Sequence, residues 1–300
     1  MTLSDTAGTQ AGIAASDRQS VRAVGPAGSA GAASGPDGAD RGRGILFRQV
    51  LLERRNVIGL LAPATAIYAI SQSGPAALGV VLPATLQVYD VSDPLFPLML
   101  YAWPAHGVTG VVSFAGSLWA WGDTGIRMLS ADYLVAARPF TRCERNPVLS
   151  AAVASGFLYL LRNNGIGIYD RGLCEVGQVE IEGCSLASAG QALAVATPDG
   201  VVIFDLVEPR KPCRAACFEL SNAGHLTTPS VFGARAVIAV CHPEGDRLLD
   251  ISNPAEPFEA LRFNGSAWYA DTAQVGRVSA SFNENRNAVV LHSIVKAGRF

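Results

Sequence analysis

One aspartate of this chain stands in a tripeptide that occurs in catalytic sites. Asp123-Thr124-Gly125 is the sequence that supplies the catalytic carboxylate in aspartic proteases, and Asp271-Thr272-Ala273 could be its partner. In such a pair, two carboxylates share one proton. The tripeptide also aligns with Asn163-Asn164-Gly165 and Pro198-Asp199-Gly200, which have the composition of hairpin turns. We therefore interpret it as a turn and do not predict a protease.

Histidines are the next candidates, because imidazole binds metals and transfers protons near neutral pH. His106 and His225 each lie just before a predicted short strand, in loops that would open onto one face of the fold. His242 lies in a predicted hairpin and His292 at the end of a predicted strand, so we interpret both as structural. We expect locally hydrogen-bonded histidines rather than a ligand pair, and keep His106 and His225 as candidate binding residues.

The cysteines and tryptophans also have two interpretations each. Six cysteines occur without zinc-like spacing, so we expect free and mostly buried thiols. Cys213 and Cys217 would share one strand face, which leaves a disulfide or a soft-metal pair open. Trp119, Trp121 or Trp268 could stack a sugar, but we favour packing between sheets. No nucleotide-binding, serine-hydrolase or zinc-protease motif is present, and we predict no catalytic residue, metal or cofactor.

All these residues lie in a repeated pattern. The segment from Leu193 to Asp205, LAVATPDGVVIFD, aligns without a gap with the segment from Leu78 to Asp90, LGVVLPATLQVYD. Further copies end at Ser130, Asp170, Asp250 and, more weakly, His292, so that successive end markers lie 35 to 45 residues apart. A period of this length filled with strand-like segments predicts a β-propeller or a solenoid.

Turn chemistry explains the residues that recur. Gly125, Gly165, Gly200 and Gly245 lie five residues before an end marker, where a hairpin needs a positive φ, and we place Asn287 at the same position in the last copy. The markers Asp90, Asp170, Asp205 and Asp250 could be metal ligands, but an aspartate at the start of a turn normally accepts hydrogen bonds from the following backbone N–H groups. We interpret all eight residues as structural repeat markers.

The repeats resemble a known family. The segments LQVYDVSDPLFP, VVIFDLVEPRKP and RLLDISNPAEPF are similar to LVIVP repeats, in which an apolar strand, an aspartate, a short polar turn and paired prolines follow one another. The resemblance covers roughly residues 60 to 300. It implies one propeller blade per repeat, and it implies no catalytic residues.

We therefore predict an all-β fold, a propeller of four-stranded antiparallel blades with six blades favoured over seven. Gly44–Val50 and Asn56–Leu61 could form half of a seventh blade, or an N-terminal strand that closes the ring against the last blade. Residues 1–43 are rich in Gly, Ala and Ser, and we predict a disordered low-complexity tail before a propeller domain at 44–300. Since no signal or transmembrane segment is recognisable, we expect a cytoplasmic protein.

The functional prediction is a non-catalytic module that binds or scaffolds another protein. His106, His225 and Asp271 are the candidate binding residues, in loops at one mouth of a central channel. A metal-dependent hydrolase or lactonase with a site in the channel is the first alternative, and a carbohydrate-binding propeller is the second. The net charge of −2 argues against nucleic acid or membrane partners, and the oligomeric state stays open.

Overall fold

Six antiparallel sheets make up the fold. A computed structural model of the chain describes residues 50–70, 76–129, 146–227, 235–262, 272–275, 277–282 and 285–296. In these residues the backbone forms 23 strands and no helix. The described part of the chain therefore contains no helix long and apolar enough to cross a membrane. The predicted tail, residues 1–43, lies outside the described residues.

Successive sheets follow the chain, and we number these blades 1 to 6 by their innermost strands. Blade 1 contains β2 (Ala66–Ile70), β3 (Ala77–Val81), β4 (Thr85–Asp90) and β5 (Leu98–Pro104). Blade 2 contains β6 (Val108–Phe114), β7 (Ser117–Gly122) and β8 (Gly125–Leu129). Blade 3 contains β9 (Ser150–Ala154), β10 (Phe157–Arg162), β11 (Gly165–Tyr169) and β12 (Glu175–Val179). The outer-strand position of blade 2 would fall in residues 130–145, outside the described residues.

The second half of the chain repeats this order. Blade 4 contains β13 (Ser185–Ala189), β14 (Ala192–Thr197), β15 (Gly200–Asp205) and β16 (Cys213–Glu219). Blade 5 contains β17 (Leu226–Thr227), β18 (Val237–Val240), β19 (Arg247–Asp250) and β20 (Phe258–Arg262). Blade 6 contains β21 (Thr272–Val275), β22 (Val278–Phe282), β23 (Ala288–Lys296) and, as its outer strand, β1 (Val50–Gly59). The innermost strands contact one another from β21 through β2, β6, β9 and β13 to β17. The six-bladed propeller is thus confirmed, and the described residues form no seventh blade.

The chain closes its ring with its N-terminal strand. β1 pairs with β23 along its whole length and becomes the outer strand of blade 6. Of the two possibilities open from the sequence, the closing strand is correct. The predicted division into Gly44–Val50 and Asn56–Leu61 is wrong within the described residues, because the strand runs continuously from Val50 to Gly59.

Apolar layers between neighbouring blades hold the disc together. The middle strands are buried on both faces, as in β14, where all six residues are buried. Leu193 and Val195 of this strand pack against Tyr159 and Leu161 of blade 3, and Ala194 and Ala196 pack against blade 5. Equivalent layers join blades 6 and 1, blades 1 and 2, and blades 2 and 3. The near-continuous apolar character of the middle strands follows from this two-sided burial.

Glycine is required in the hairpins that join the second and third strands. Gly125, Gly165, Gly200 and Gly245 all have a positive φ, and at Gly165 it is 125°. A Cβ atom at Gly165 would also collide with the carbonyl oxygen of Val179 in the outer strand. In blade 6 the positive φ belongs to Arg286, so the placement of Asn287 at this position is wrong. The pairing of Val278 with Ser293 spans two residues more than that of Ala192 with Asp205, so the hairpin positions of the two blades do not correspond one to one.

Each repeated aspartate binds the turn that follows its strand. The Oδ1 atoms of Asp90, Asp205 and Asp250 accept hydrogen bonds from the backbone N–H two residues on, at 2.8, 2.9 and 2.9 Å. Asp170 accepts instead from the N–H of Cys174 at 3.0 Å, four residues on. These carboxylates therefore stabilise the connection between the third and outer strands, on the side of the disc opposite the glycine hairpins.

A one-residue bulge recurs where the outer strand pairs with the third strand. The register shifts just before the marker aspartate in blades 1, 3, 4 and 5. In blade 4 it places Cys213 opposite Asp205 and Cys217 opposite Val202. Asp205 and Val202 are three residues apart, so the two cysteines lie on opposite faces of the strand, and the prediction of a shared face is wrong.

The prediction of mostly buried thiols is also wrong for the described cysteines. Cys174, Cys184, Cys213 and Cys217 are exposed and Cys241 is half-buried, all as free thiols. The four exposed residues lie in outer strands or connections rather than in the two-sided middle strands. Cys143 lies outside the described residues.

The last repeat is one residue out of register with the sequence alignment. The marker aspartate pairs with the first residue of the second strand, as Ala192 pairs with Asp205. In blade 6 the second strand begins at Val278, and its partner is Ser293 rather than His292, the residue that the sequence alignment placed at the marker position. Because side chains alternate between the two faces of a strand, this shift by one residue buries His292 and leaves Ser293 half-buried.

Candidate functional site

A small cavity lies on the propeller axis. It has a volume of about 190 Å³ and is bounded by all six innermost strands. Each strand contributes small, apolar or hydroxyl side chains, among them Tyr68, Val112, Ala151, Ser188, Thr227 and Ala273. No acidic residue is found among the described residues of its wall. The short side chains of the innermost strands fit the crowded axis of the disc, which leaves little room for a substrate.

His225 lies in the wall of this cavity, directly before β17. Its Nδ1 is 3.2 Å from the Oγ of Ser185, and the same Oγ accepts a hydrogen bond from the N–H of Leu226 at 2.9 Å. Ser185 is almost fully buried, so its hydroxyl is not accessible as a nucleophile. This contact joins blades 4 and 5 at their innermost strands.

The same type of contact joins blades 3 and 4. The Oγ of Ser150 accepts a hydrogen bond from the N–H of Leu186 at 3.0 Å, and the Oγ of Ser188 donates to the carbonyl oxygen of Val153 at 2.9 Å. Ser150, Ser185 and His225 therefore occupy similar places in successive innermost strands. His225 therefore stands where blades 3 and 4 have a serine, and its hydrogen bond to Ser185 is a structural contact between blades.

The other two predicted binding residues are placed differently. His106 is exposed in the turn before β6 and is not part of the cavity wall. Asp271 lies outside the described residues. Of the two candidates that the structure describes, only His225 lies at the cavity. A common binding site of His106, His225 and Asp271 stays a prediction.

In the described part of the chain, few side chains are placed where they could bind a metal ion or stack on a sugar. No three His, Cys, Asp or Glu side chains there are arranged to hold a metal ion. Asp123 and Thr124 form the tight turn between β7 and β8. Trp119 and Trp121 are buried between blades 2 and 3, and the Nε1 of Trp119 donates to the carbonyl oxygen of Phe114 at 3.1 Å. These indoles pack between blades, and Trp268 lies outside the described residues.

Among the described residues, most of the exposed large hydrophobic side chains lie on the rim, at blade 1. In the outer strand β5, Leu98 is 62% exposed and Met99 is 52% exposed, and Leu100 and Tyr101 follow them on the surface. In the preceding connection, Phe96 is 77% exposed and Leu95 is also exposed. We refer to Leu95, Phe96, Leu98, Met99, Leu100 and Tyr101 as the blade 1 patch.

The other described outer strands are charged. They carry Glu53, Arg54 and Arg55 in β1, Glu175 in β12, Arg214 and Glu219 in β16, and Glu259 and Arg262 in β20. No charged residue occurs from Pro94 to Pro104. Charged side chains on edge strands protect a sheet against unwanted association, and β5 lacks this protection.

Both faces of β5 contribute to the patch. Leu98 pairs with Asp90 and Tyr101 with Val88, whereas Met99 pairs with Tyr89, so the apolar side chains extend around the strand edge. The ring of Tyr101 stacks on Trp103 with the centroids 5.1 Å apart. On the neighbouring β1, the side-chain amide of Asn56 donates to the carbonyl oxygen of Leu95 at 2.7 Å, which fixes the connection that presents Phe96.

The patch was missed from the sequence, although a signal was present. Alignment of the repeats directs attention to the residues that recur, and the outer strands recur least. The absence of any charge in PLFPLMLYAWP, compared with the outer strands of other repeats, is the feature that distinguishes it.

Comparisons with known proteins support the fold. No protein-family model matches the chain and no curated protein matches it, so membership of the LVIVP family stays a prediction. Among solved structures, the N-terminal domain of Nup159 is similar with a TM-score of 0.54 and 11% identity, over 82% of this chain and 96% of that one.

Two further solved structures are similar. A chain of the Saccharomyces cerevisiae complex of Dbp5 with Nup159, Gle1, IP6 and ADP has a TM-score of 0.52 and 10% identity, over 82% of this chain and 95% of that one. Hsv2 of Kluyveromyces marxianus has a TM-score of 0.50 and 10% identity, over 80% of this chain and 74% of that one. At such low identity the likeness concerns the fold alone.

Proposed function

We propose that this chain is a non-catalytic protein-binding propeller and that the blade 1 patch is its docking surface. The observation that carries the proposal is the exposure of six large apolar side chains on the one described outer strand without a charge and on its preceding connection. Exposed apolar patches larger than a few hundred Å² on a folded protein are typical of interaction sites.

The shape of the two candidate sites favours a protein partner over a small molecule. The axial cavity of about 190 Å³ is smaller than the roughly 300–1,000 Å³ of most ligand sites. The blade 1 patch follows the outer edge of a sheet, which suits the broad surface of another protein. Nup159, which has a similar fold, is bound to Dbp5 in its solved complex, in keeping with a propeller that binds protein.

Comparative affinity capture tests the proposal. The double substitution Phe96→Lys with Leu98→Lys changes two of the most exposed side chains, so the fold should be retained. Val207→Lys is the matched control, because Val207 is an isolated apolar residue, 77% exposed, in the corresponding connection of blade 4. We expect proteins that bind the wild type and the control to be lost from the double variant. Equal recovery with all three chains would contradict the proposal.

A further inference from the structure

We infer that the blade 1 patch binds the same patch of a second copy of this chain, in a twofold-symmetric dimer. The inference rests on the proposed function, since it uses the same docking surface and names the partner. Three properties of the patch support it: its area, its lack of charge and the geometry of β5.

The area of the patch suits a symmetric interface. The six residues of the patch are 36–77% exposed, so together they offer a surface on the order of several hundred Å², the scale of the ~800 Å² per partner of a standard protein interface.

The lack of charge makes the patch complementary to itself. A twofold axis brings each surface against its own copy, so that a charge near the axis meets a like charge. The outer strands β16 and β20 would instead bring arginine and glutamate side chains against their own copies. The segment from Pro94 to Pro104 has no such groups, and apolar side chains pack on one another without a required register.

The geometry of β5 determines the type of contact. Within the described residues β5 pairs with β4 alone, but Leu100 is the extra residue of the bulge and Pro104 has no backbone N–H. Bulges and prolines interrupt hydrogen-bonded pairing at a strand edge. We therefore place the dimer contact in the side chains of the patch rather than in a sheet continuous across two copies. Such a contact should depend little on ionic strength.

Sedimentation equilibrium over a range of protein concentrations tests the dimer. We expect the wild type and Val207→Lys to form a species of twice the 31.3 kDa chain mass, with a dissociation constant that changes little between low and high salt. Phe96→Lys with Leu98→Lys should raise this constant at least about tenfold, because four lysine side chains would enter the interface. Circular dichroism of the double variant checks that the fold is intact.

The outcomes separate this inference from the proposed function. A wild type that stays monomeric at every concentration, or a dimer that persists in the double variant, would overturn the inference. If the wild type is monomeric while capture of another protein still depends on the patch, the dimer is wrong and the proposed function is supported. If the wild type is monomeric and capture is equal for all variants, both are wrong.

Discussion

The marker aspartates have the same place in the repeat but different surroundings. Asp205 accepts a hydrogen bond from the N–H of Val207 at 2.9 Å. Asp250 makes the same bond to Ser252 and also receives the Nη1 of Arg235 at 3.0 Å, with only 4% of its side chain exposed. Removing a buried carboxylate leaves an N–H and a guanidinium without their acceptor, so the same substitution should have unequal costs.

Alanine substitution at the two positions measures this difference. We expect Asp205→Ala to lower the free energy of unfolding by about 1 kcal/mol, the usual net value of a single hydrogen bond in a turn. Asp250→Ala should lower it by about 2–3 kcal/mol, since a partly buried ion pair is lost as well. Urea denaturation of both variants provides the measurement. Equal effects would show that the Arg235 contact contributes nothing.

At the scale of elements, the closing strand β1 is an outer strand supplied from the other end of the sequence. It carries the same kind of bulge as β5, β12, β16 and β20, between Arg54 and Asn56. The bulge lies opposite His292, whose pKa is lowered by burial and by the nearby guanidinium of Arg54. The neutral imidazole is therefore the form that is compatible with the closed ring.

This lowered pKa makes the stability of the closure pH-dependent. An unfolded histidine titrates near pH ~6.5, so below that value the unfolded chain binds a proton that the folded chain does not. At pH 7.5 the histidine is neutral in both states, and as the pH falls below about 6.5 protonation of the unfolded chain progressively lowers the stability of the folded one. His292→Gln should reduce the difference between urea midpoints at pH 7.5 and 5.5.

The exposed His106 is the control for this experiment. His106→Gln changes a side chain in the turn before β6, away from the closure. It should leave the pH dependence of the urea midpoint as in the wild type. If His292→Gln also leaves it unchanged, protonation of His292 does not oppose ring closure.

At the scale of the whole molecule, the disc depends on contact between the two ends of the chain. Blades 1 to 5 are each built from consecutive strands, whereas blade 6 combines β21, β22 and β23 with β1. The apolar layer between blades 6 and 1 includes Ile58 of β1 together with Leu78 and Leu291. The closing strand thus links the last blade to the first by hydrogen bonds and by burial.

Truncation tests the role of the closure. A chain that starts at residue 44 should melt like the full chain, because only the predicted tail is removed. A chain that starts at residue 60 loses β1, and we expect its Tm to be at least about 10 °C lower, since several kcal/mol of pairing and burial are lost. A peptide of residues 50–59 added in trans should restore part of the difference. Equal melting of the two truncated chains would contradict the closure.

The parts of this fold that sequence patterns predicted are those that depend on neighbouring residues. The copy of the repeat from Leu193 to Asp205 contains most of β14 and all of β15, with the hairpin at Pro198 and Asp199 as its composition predicted. A hairpin needs its glycine wherever it is placed, and an aspartate at the end of a strand finds the N–H groups of its own turn. Local chemistry of this kind repeats with the sequence, so the period, the blades and their number could be inferred.

The remaining features depend on residues that are distant in the sequence. The outer-strand bulge changed the face of Cys217, and pairing with β22 changed the register of His292. The exposure of Leu98 and Phe96 became visible only once the blades were packed as a ring. The sequence alone determined the repeat and its turns, because these are set within a few residues. The tertiary structure decided which surface is free to bind, because burial depends on every strand that packs nearby.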